Sequence, residues 1–344
     1  MKELLDTIEA WQRAGVRFGR AVVIRTFGSS PRPEGAVLLY ASDGRLAGSV
    51  SGGCVEGVAA EEIERAMMSG RSRVVRYGIT DEQAWGVGLA CGGSIDVLIE
   101  PDVPPEVVDA ARSSRGVAVV TELRADEPHL PCLVVHDDGR LEGTTANAAT
   151  DDAIVAAAHE ALLRSNSRAI ELGTRRFFVE AYPVRPRLVI VGAVEIARSL
   201  VRLAHELGFE AIVIDGRPTF ATAERFPAAD QLIVGWPDEV ADAIRLGPYD
   251  AVAVLAHDPK FDEPAIVEAL RRGCRYVGAI GSRKTQAERR ERLRAAGVPD
   301  EDLARLHGPI GLDIGGRSPA ETALAIMAEV IAERYGASAA PLTR

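Results

Sequence analysis

The sequence has few cysteines, few aromatic residues and no excess of positive charge, and each shortage excludes a class of protein. Its four cysteines lack paired spacing, which excludes a disulfide framework and a zinc knuckle and predicts a reducing cytoplasm. A net charge of -10 argues against nucleic acid or an anionic membrane as the main partner. No apolar run approaches membrane-spanning length, and the charged N-terminal segment lacks the apolar core of a signal peptide.

Two kinds of sequence pattern divide the 344 residues into two domains of ordinary size. From about residue 20 to 180, short apolar strands and glycine-rich turns are interrupted by helical patterns, which predicts an α+β domain. Two prolines in VEAYPVRPR break the periodicity and mark a boundary near Arg185. We therefore predict one domain over 1–185 and another over 186–344.

The second domain contains short, wholly apolar runs separated by helical segments, such as RLVIVG, EAIVID and DAVAVLAH. Strands that are buried on both faces have this composition. The pattern predicts a Rossmann-like, doubly wound parallel sheet. Ser318, Pro319 and Glu321 have the spacing of a capping box and predict the start of a final helix.

The turn after the first of these strands is where this fold binds dinucleotides. Gly192 and Asp215 match the turn and ribose positions of the fingerprint. Val194 stands where a second glycine lets backbone approach the pyrophosphate, and Glu195 adds negative charge. Arg217 beside Asp215 offers a site for a 2′-phosphate, so the pattern does not separate NAD from NADP. We therefore predict that this turn binds dinucleotides poorly. The alternative for Asp215 itself is that it simply begins a loop.

Polar side chains also follow two later strands of this domain. Ligands gather at the carboxyl ends of parallel strands, and cations above a helix start suit a phosphate. The candidates are His257, Ser282, Arg283 and Lys284. Alternatively, His257 caps a helix or faces solvent, and the two cations lie on a solvated helix surface.

The stretch GSVSGGCVEGV sets one thiol among four glycines where a hairpin gives way to a helix. Glycine permits close approach of backbone, and a helix start offers unpaired N–H groups to an anion. A thiol in this position tends towards the thiolate. The stretch predicts a small anionic or metal-containing ligand held by backbone and sulfur; the alternative is a tight turn with a buried cysteine.

Longer segments resemble one protein family. GSSPRPEGAVLLYASDGRLAGSVSGGCVEG and GVGLACGGSIDVLIEP are similar to the N-terminal domain of the XdhC/CoxI family, the accessory proteins of molybdenum hydroxylases such as xanthine dehydrogenase. LAHDPKFDEPAI, YVGAIGSRKTQAERRERLRAAGV and GPIGLDIGGRSPAE resemble its C-terminal Rossmann-like domain. The resemblance implies a chaperone that binds molybdenum cofactor (molybdopterin), protects it while its sulfido ligand is installed by a sulfur donor, and delivers it to an apo-hydroxylase.

The resemblance also implies which residues hold the cofactor, a pterin with a dithiolene, a phosphate and a metal centre. Cys54 and Cys91 are the implied metal ligands, because sulfur suits a soft metal. Neighbouring glycines suit the phosphate or the pterin edge, and the GSSPRP loop adds anion contacts. These further residues are Ser29, Ser30, Arg32, Gly52, Gly53, Gly92 and Gly93. Cys132 and Cys274 lie in or beside apolar strands and are predicted core residues.

Three functions remain open at this point. Where the family has Gly-Ala-Gly-His-Val-Ala this sequence has GAVEIA, which argues against a nucleotide or redox role for the second domain. We favour a cofactor chaperone without turnover over an NAD(P)-dependent oxidoreductase. A third alternative is a metal-binding protein using Cys54, Cys91 and His257. The sequence does not name the client hydroxylase, and it leaves open a shared cleft between the domains and a homodimer.

Overall fold

The computed structural model describes residues 1–78, 93–124, 127, 128 and 130–342. The chain divides into two compact units, Met1–Val184 and Arg185–Arg344, called here the first and second units. Within these described residues, no helix has both the length and the apolar character that crossing a bilayer requires.

An antiparallel sheet of the first unit carries the cysteine stretch. Its elements and the helices beside them are α1 (Leu5–Arg13), β1 (Phe18–Phe27), β2 (Val37–Ala41), β3 (Leu46–Gly48), α2 (Glu56–Ser69), β4 (Arg73–Tyr77) and β5 (Ser94–Glu100). The strand order is β3-β2-β1-β5-β4. The central strand β1 is apolar on both faces because Ala21 and Val23 pack with α2, whereas Val22 and Ile24 pack with α1.

A second antiparallel sheet completes the first unit, with strand order β8-β7-β6-β10-β9. Its elements and helices are α3 (Pro105–Arg112), β6 (Val117–Glu122), β7 (Cys132–His136), β8 (Leu141–Glu142), α4 (Ala148–Arg164), β9 (Arg168–Leu172) and β10 (Arg175–Tyr182). A buried cation joins the two sheets: Arg20 of β1 lies 2.5 Å from Glu100 and 3.0 Å from Glu180 of β10. Because an unpaired buried charge is costly, this contact favours one alignment of the sheets.

The second unit is built on one parallel sheet. Its elements are β11 (Arg187–Val191), α5 (Glu195–Glu206), β12 (Glu210–Asp215), β13 (Gln231–Val234), α6 (Pro237–Val240), β14 (Asp250–Val254), α7 (Pro259–Arg271), β15 (Tyr276–Ala279), α8 (Arg283–Ala295), α9 (Asp300–Ala304), β16 (Leu306–His307) and α10 (Pro319–Tyr335). The order β13-β12-β11-β14-β15-β16 is that of the doubly wound dinucleotide fold.

Two apolar cores cover the two faces of this sheet. Leu188 and Ile190 of β11 pack with α5 and α10 on one face. Val189 and Val191 pack with α7 on the other face. The interiors of these strands are therefore apolar, as strands buried on both faces require, and their polar residues lie at the strand ends. The fold class predicted from the sequence, an α+β domain followed by a doubly wound parallel sheet, is confirmed.

Candidate functional site

Three glycine-rich segments of the first unit meet at one end of its first sheet. The antiparallel pairing puts the end of β1, the end of β3 and the start of β5 at that end. A Cβ atom added to Gly93 would lie 2.2 Å from the carbonyl oxygen of Ser29, so only glycine permits this approach. A Cβ atom added to Gly52 would lie 3.8 Å from Pro31. We call residues 28–33, 49–55 and 93 the loop cluster.

The loop cluster contains most of the residues that the sequence singled out in the first unit. Ser29, Gly52 and Gly53 are exposed, and Cys54 is partly buried. Cys91 and Gly92 lie outside the described residues. Gly93 follows them directly and brings the described end of their segment against Ser29.

The carboxylate of Glu56, at the start of α2, organises the cysteine loop. It accepts hydrogen bonds from the hydroxyls of Ser49 and Ser51, each at 2.6 Å. It also accepts the N–H groups of Val50, Ser51 and Gly53 at 3.1, 2.9 and 2.9 Å. Negative charge is favourable at the N-terminus of a helix, and at the start of α2 the carboxylate of Glu56 supplies it.

These contacts keep Glu56 ionised. Partial burial alone would raise the pKa of Glu56, but hydrogen bonds from Ser49, Ser51 and the loop backbone outweigh it and lower the pKa to about 2. A negative charge therefore sits in the loop throughout the physiological pH range.

The remaining N–H groups of the loop are also used internally. The hydroxyl of Ser49 accepts the N–H of Gly52 at 2.8 Å, and that of Ser51 accepts the N–H groups of Cys54 and Val55 at 3.0 and 2.9 Å. The expectation that unpaired N–H groups of this loop grip an anion is therefore wrong, because Glu56, Ser49 and Ser51 already take them. The loop presents bare backbone outward at Gly52 and Gly53, and Cys54 beside them is partly buried and packs against the apolar core of the first sheet.

The GSSPRP loop is held at its base and is polar at its tip. Glu34 accepts the N–H and the hydroxyl of Thr26 at 2.9 and 2.7 Å and so closes the loop. Ser30 donates to the carbonyl oxygen of Arg32 at 2.8 Å. The guanidinium of Arg32 lies 3.7 Å from Glu3, and its side chain is 39% exposed. Arg32 is thus available to an anion, although Glu3 competes for its charge.

The other two described cysteines differ from Cys54. Cys274 is wholly buried in an apolar core, as predicted, and burial raises its pKa to about 12. Cys132 packs beside the core of the second sheet, and burial raises its pKa to about 11. Its sulfur lies 3.5 Å from the hydroxyl of Thr121. Both groups remain neutral thiols at physiological pH; Cys132 is partly buried, as Cys54 is, whereas Cys274 is wholly buried.

In the second unit, Gly192 is required by close packing. Its φ is +111°, and an added Cβ would lie 2.9 Å from the backbone nitrogen of Ala256. Val194 packs partly against the core, and the exposed Glu195 pairs with Arg198 at 3.0 Å at the start of α5. The glycine turn therefore serves the contact between β11 and the loop after β14.

The carboxylate of Asp215 is satisfied within the protein. It accepts the N–H of Ala193 at 2.7 Å and the guanidinium of Arg217 at 2.8 and 2.7 Å. Burial alone would raise the pKa of Asp215, but the Arg217 and Ala193 contacts lower it overall. The guanidinium of Arg217 also lies over the ring of Phe220 at 3.8 Å. Both groups proposed for a nucleotide ribose or 2′-phosphate therefore already have partners.

The polar residues after the later strands are exposed. His257 has φ +63° and faces solvent. Ser282 caps α8 by accepting the N–H of Thr285 at 3.1 Å. Arg283 and Lys284 are exposed on the first turn of that helix. For Ser282 the structure shows the capping role that a serine before a helix commonly has; ligand binding by this group of residues stays a prediction.

A buried polar network beneath these loops was not predicted from the sequence. Asp262 of α7 lies 3.3 Å from Arg289 of α8, and both are almost wholly buried. Gln286 accepts from Arg289 at 2.8 Å and donates to the carbonyl oxygen of Ala279 at 2.8 Å. Burial raises the pKa of Asp262 to about 6, although Arg289 opposes the shift. The network ties α7 and α8 to the end of β15.

The metal-binding alternative requires Cys54, Cys91 and His257 to act together as ligands. In the described part of the chain, no group of three or more His, Cys, Asp or Glu side chains has an arrangement that would hold a metal ion. Cys91, which that alternative requires, lies outside those residues.

We expect Glu56→Gln to lower the free energy of unfolding at pH 7 by about 1–2 kcal/mol, allowing for partial exposure, because an amide has one acceptor oxygen instead of two. The pKa of Glu56 is about 2 in the folded protein against 4.5 for the free side chain. The stabilisation is therefore present above pH 4.5 and lost as the pH falls towards 2. Urea unfolding at several pH values measures it.

The difference in the free energy of unfolding between wild type and Glu56→Gln should shrink as the pH falls from 4.5 towards 2. Glu64→Gln, an exposed change on the same helix, is the control and should leave stability within about 0.5 kcal/mol of wild type. A difference for Glu56→Gln that stays constant with pH would contradict the role of the carboxylate.

We expect the second unit to bind NAD or NADP more weakly than micromolar. Val194 adds bulk in the glycine turn, Glu195 adds negative charge, and Asp215 is already paired with Arg217. Titration calorimetry with each dinucleotide measures this affinity. A dissociation constant of about 1 μM or lower, which corresponds to about -8 kcal/mol, would overturn the expectation.

Comparisons with known proteins agree with this architecture. The family model described as XdhC Rossmann domain matches residues 188–330, and that described as XdhC and CoxI family matches residues 11–78. A probable xanthine dehydrogenase subunit from Bacillus subtilis is 30% identical over 326 residues, 91% of this chain and 92% of that protein. The molybdenum cofactor insertion chaperone PaoD of Escherichia coli is 26% identical, covering 92% of this chain and 84% of that protein.

One solved structure resembles the whole chain. A crystal structure of a xanthine dehydrogenase from Bacillus halodurans superposes with a TM-score of 0.67 at 28% identity and covers 99% of this chain and 98% of that one. The relative at 30% identity spans nearly the full length of both proteins. Sequence and fold together therefore show that the chain belongs to the XdhC and CoxI family.

Proposed function

We propose that this protein binds molybdenum cofactor and delivers it to a molybdenum hydroxylase. The observation that carries the proposal is the loop cluster, whose glycine turn carries Cys54 and is held by the adjacent Glu56 through Ser51 and Gly53. The relatives support the same role, because one is named a molybdenum cofactor insertion chaperone and another is named as part of a xanthine dehydrogenase. The cofactor is cargo in this account, and the hydroxylase is the partner that receives it.

The residues of the loop cluster have suitable chemistry for this cargo. Cys54 is a partly buried cysteine beside the exposed glycines, and sulfur is the kind of ligand that soft metal centres prefer. Gly52 and Gly53 are exposed, and nothing lies within 4 Å of a Cβ added to Gly53, so a flat group has room to approach the backbone. Ser29 and Arg32 supply a hydroxyl and a guanidinium for an anionic group. Cys91 and Gly92 belong to the same proposed site.

The chain's own contribution is to hold the backbone that carries Cys54 in place before the cargo arrives. The hydroxyl of Ser51 fixes the N–H of Cys54, and Glu56 fixes Ser51 in turn. A pre-organised ligand loses less conformational entropy on binding than a mobile one. This arrangement suits binding and release of an intact cofactor, with no catalytic step required of the protein.

The NAD(P)-dependent alternative has less support. Asp215 and Arg217 are paired with each other, and Val194 occupies the second glycine position of the fingerprint. The proposal therefore places the cofactor chemistry on the cysteine loops. It also includes a sulfur donor as a second partner and the cytoplasm as the compartment.

We expect Cys54→Ser to fold normally but to retain less cofactor. The change lies in a partly exposed loop, so stability should stay within about 0.5 kcal/mol of wild type. A neutral hydroxyl is a much poorer ligand for a soft metal than a thiolate, so molybdenum content should fall. The assay measures molybdenum per protein by mass spectrometry after purification from a molybdenum-sufficient host, together with activation of the apo-hydroxylase and thermal melts.

Cys132→Ser is the matched control within the same unit. The new hydroxyl would lie near the hydroxyl of Thr121 and the carbonyl oxygen of Leu130, both close to the present sulfur. This variant should retain as much molybdenum as wild type. Equal retention in Cys54→Ser and wild type would reduce the cysteine loop to a structural turn.

A further inference from the structure

A cavity of about 360 Å³ lies within the first unit, and none of its lining residues belongs to the loop cluster. Both antiparallel sheets contribute to it, through Ser72 before β4, Glu100 at the end of β5 and Cys132 at the start of β7. The start of α3 contributes as well. The volume falls in the range of pockets that hold small molecules, about 300–1,000 Å³.

The charged side chains that line the cavity are all acidic. They are Glu100, Asp102 and Glu106, and no lysine, arginine or histidine stands among the described lining residues. In the part of the chain that the structure describes, the carboxylates of Asp102 and Glu106 have neither a hydrogen bond nor an ion pair. Clustered charge of one sign attracts the opposite sign, so the cavity suits a cation.

The carboxylate of Glu100 adds a buried acceptor. Glu100 is 3% exposed, and its Oε2 atom accepts from Arg20 at 2.5 Å. Arg20 also donates to Glu180, so one guanidinium is shared between two carboxylates. Burial raises the pKa of Glu100, although Arg20 opposes the shift. No described group donates to the Oε1 atom of Glu100, which leaves that oxygen for a donor in the cavity.

The hydroxyl of Ser72 distinguishes this cavity from an ordinary acidic surface. Ser72 is 2% exposed and lines the cavity, yet its hydroxyl makes no hydrogen bond to any residue of 1–78, 93–124, 127, 128 or 130–342. Burying a hydroxyl without a partner costs free energy, so native proteins satisfy such groups with a ligand or a water. Beside these carboxylates, the fitting ligand is one that donates hydrogen bonds.

Two features select the kind of cation. Pro104 and Pro105 at the start of α3 have no N–H group, and together with Leu130 they give the cavity apolar walls. Among the described residues, no three or more His, Cys, Asp or Glu side chains are arranged as metal ligands, although three acids line this cavity. An organic ammonium ion on an aliphatic chain matches both the apolar walls and the separate carboxylates.

We propose that this cavity binds a small alkyl diamine of the size of 1,4-diaminobutane. One ammonium group donates to Ser72 and Glu100, since an ammonium ion carries three N–H donors. The second ammonium group is neutralised by Asp102 and Glu106, and the methylene chain lies against the prolines. The inference does not rest on the proposed function, because no residue of the loop cluster takes part.

Titration calorimetry on the full chain, in about 0.15 M salt to screen non-specific attraction, tests the inference. We expect 1,4-diaminobutane to bind with a dissociation constant of about 10 μM to 1 mM, the range for a ligand of this size. The comparison ligand 4-amino-1-butanol lacks one charge and should bind about tenfold more weakly. Magnesium chloride controls for attraction of any divalent cation and should also bind at least about tenfold more weakly.

Variants locate the binding site. Ser72→Ala, Asp102→Asn and Glu106→Gln should each weaken binding about threefold to tenfold, because each removes one acceptor or one charge. Asp109→Asn is the matched control, since Asp109 is an exposed acid of the same helix α3 that does not line the cavity. It should bind within about twofold of wild type. Thermal melts check that each variant is folded.

Three results would overturn the inference. The first is the absence of measurable binding of 1,4-diaminobutane up to about 10 mM, well above the affinity expected. The second is equal affinity for 1,4-diaminobutane and either comparison ligand. The third is unchanged affinity in all of Ser72→Ala, Asp102→Asn and Glu106→Gln. Cys54→Ser should bind the diamine like wild type, which keeps this result separate from the test of cofactor retention.

Discussion

The carboxylate of Glu56 is the group on which the cysteine loop depends. Two hydroxyls and three backbone N–H groups converge on it, and the same hydroxyls hold the N–H groups of Gly52 and Cys54. Such an arrangement is stable only while the carboxylate is charged, which the lowered pKa ensures. The loop is thus built around an internal anion, with exposed glycine backbone at Gly52 and Gly53 and a partly buried Cys54 beside it.

The two units satisfy the N–H groups of a glycine turn in similar ways, with an acid of the chain as the acceptor. In each unit, a glycine turn before a helix has N–H groups that would attract an anion. In the first unit, the carboxylate of Glu56 accepts the N–H group of Gly53. In the second unit, the carboxylate of Asp215 accepts the N–H group of Ala193. These N–H groups therefore already have acceptors within the protein. The first unit keeps a partly buried Cys54 beside exposed glycines, and the second keeps a cavity of about 220 Å³ lined by Trp236 and Phe261.

The fold was predictable because it depends on local periodicity, whereas the sites depend on convergence of distant segments. The capping box of Ser318 and Glu321 is confirmed, because its spacing is local. Strand β4 has a weaker sequence signal than its neighbours, since only Tyr77 among its residues is buried and its apolar pattern is short. The role of Glu56 was missed because its partners are hydroxyls and backbone, although Ser49 and Ser51 just before the turn were a usable signal. The Trp236 cavity requires three loops to meet, which no sequence window contains.

The most direct test of the central claim is the reactivity of Cys54 towards iodoacetamide, followed residue by residue with mass spectrometry in cofactor-loaded and cofactor-free protein. Cys54 is partly exposed and Cys274 is wholly buried, so the cofactor-free protein should be alkylated at Cys54 and spared at Cys274. If the cofactor is held by the loop cluster, loading should protect Cys54 strongly. Alkylation of Cys54 at the same rate with and without cofactor would contradict the account.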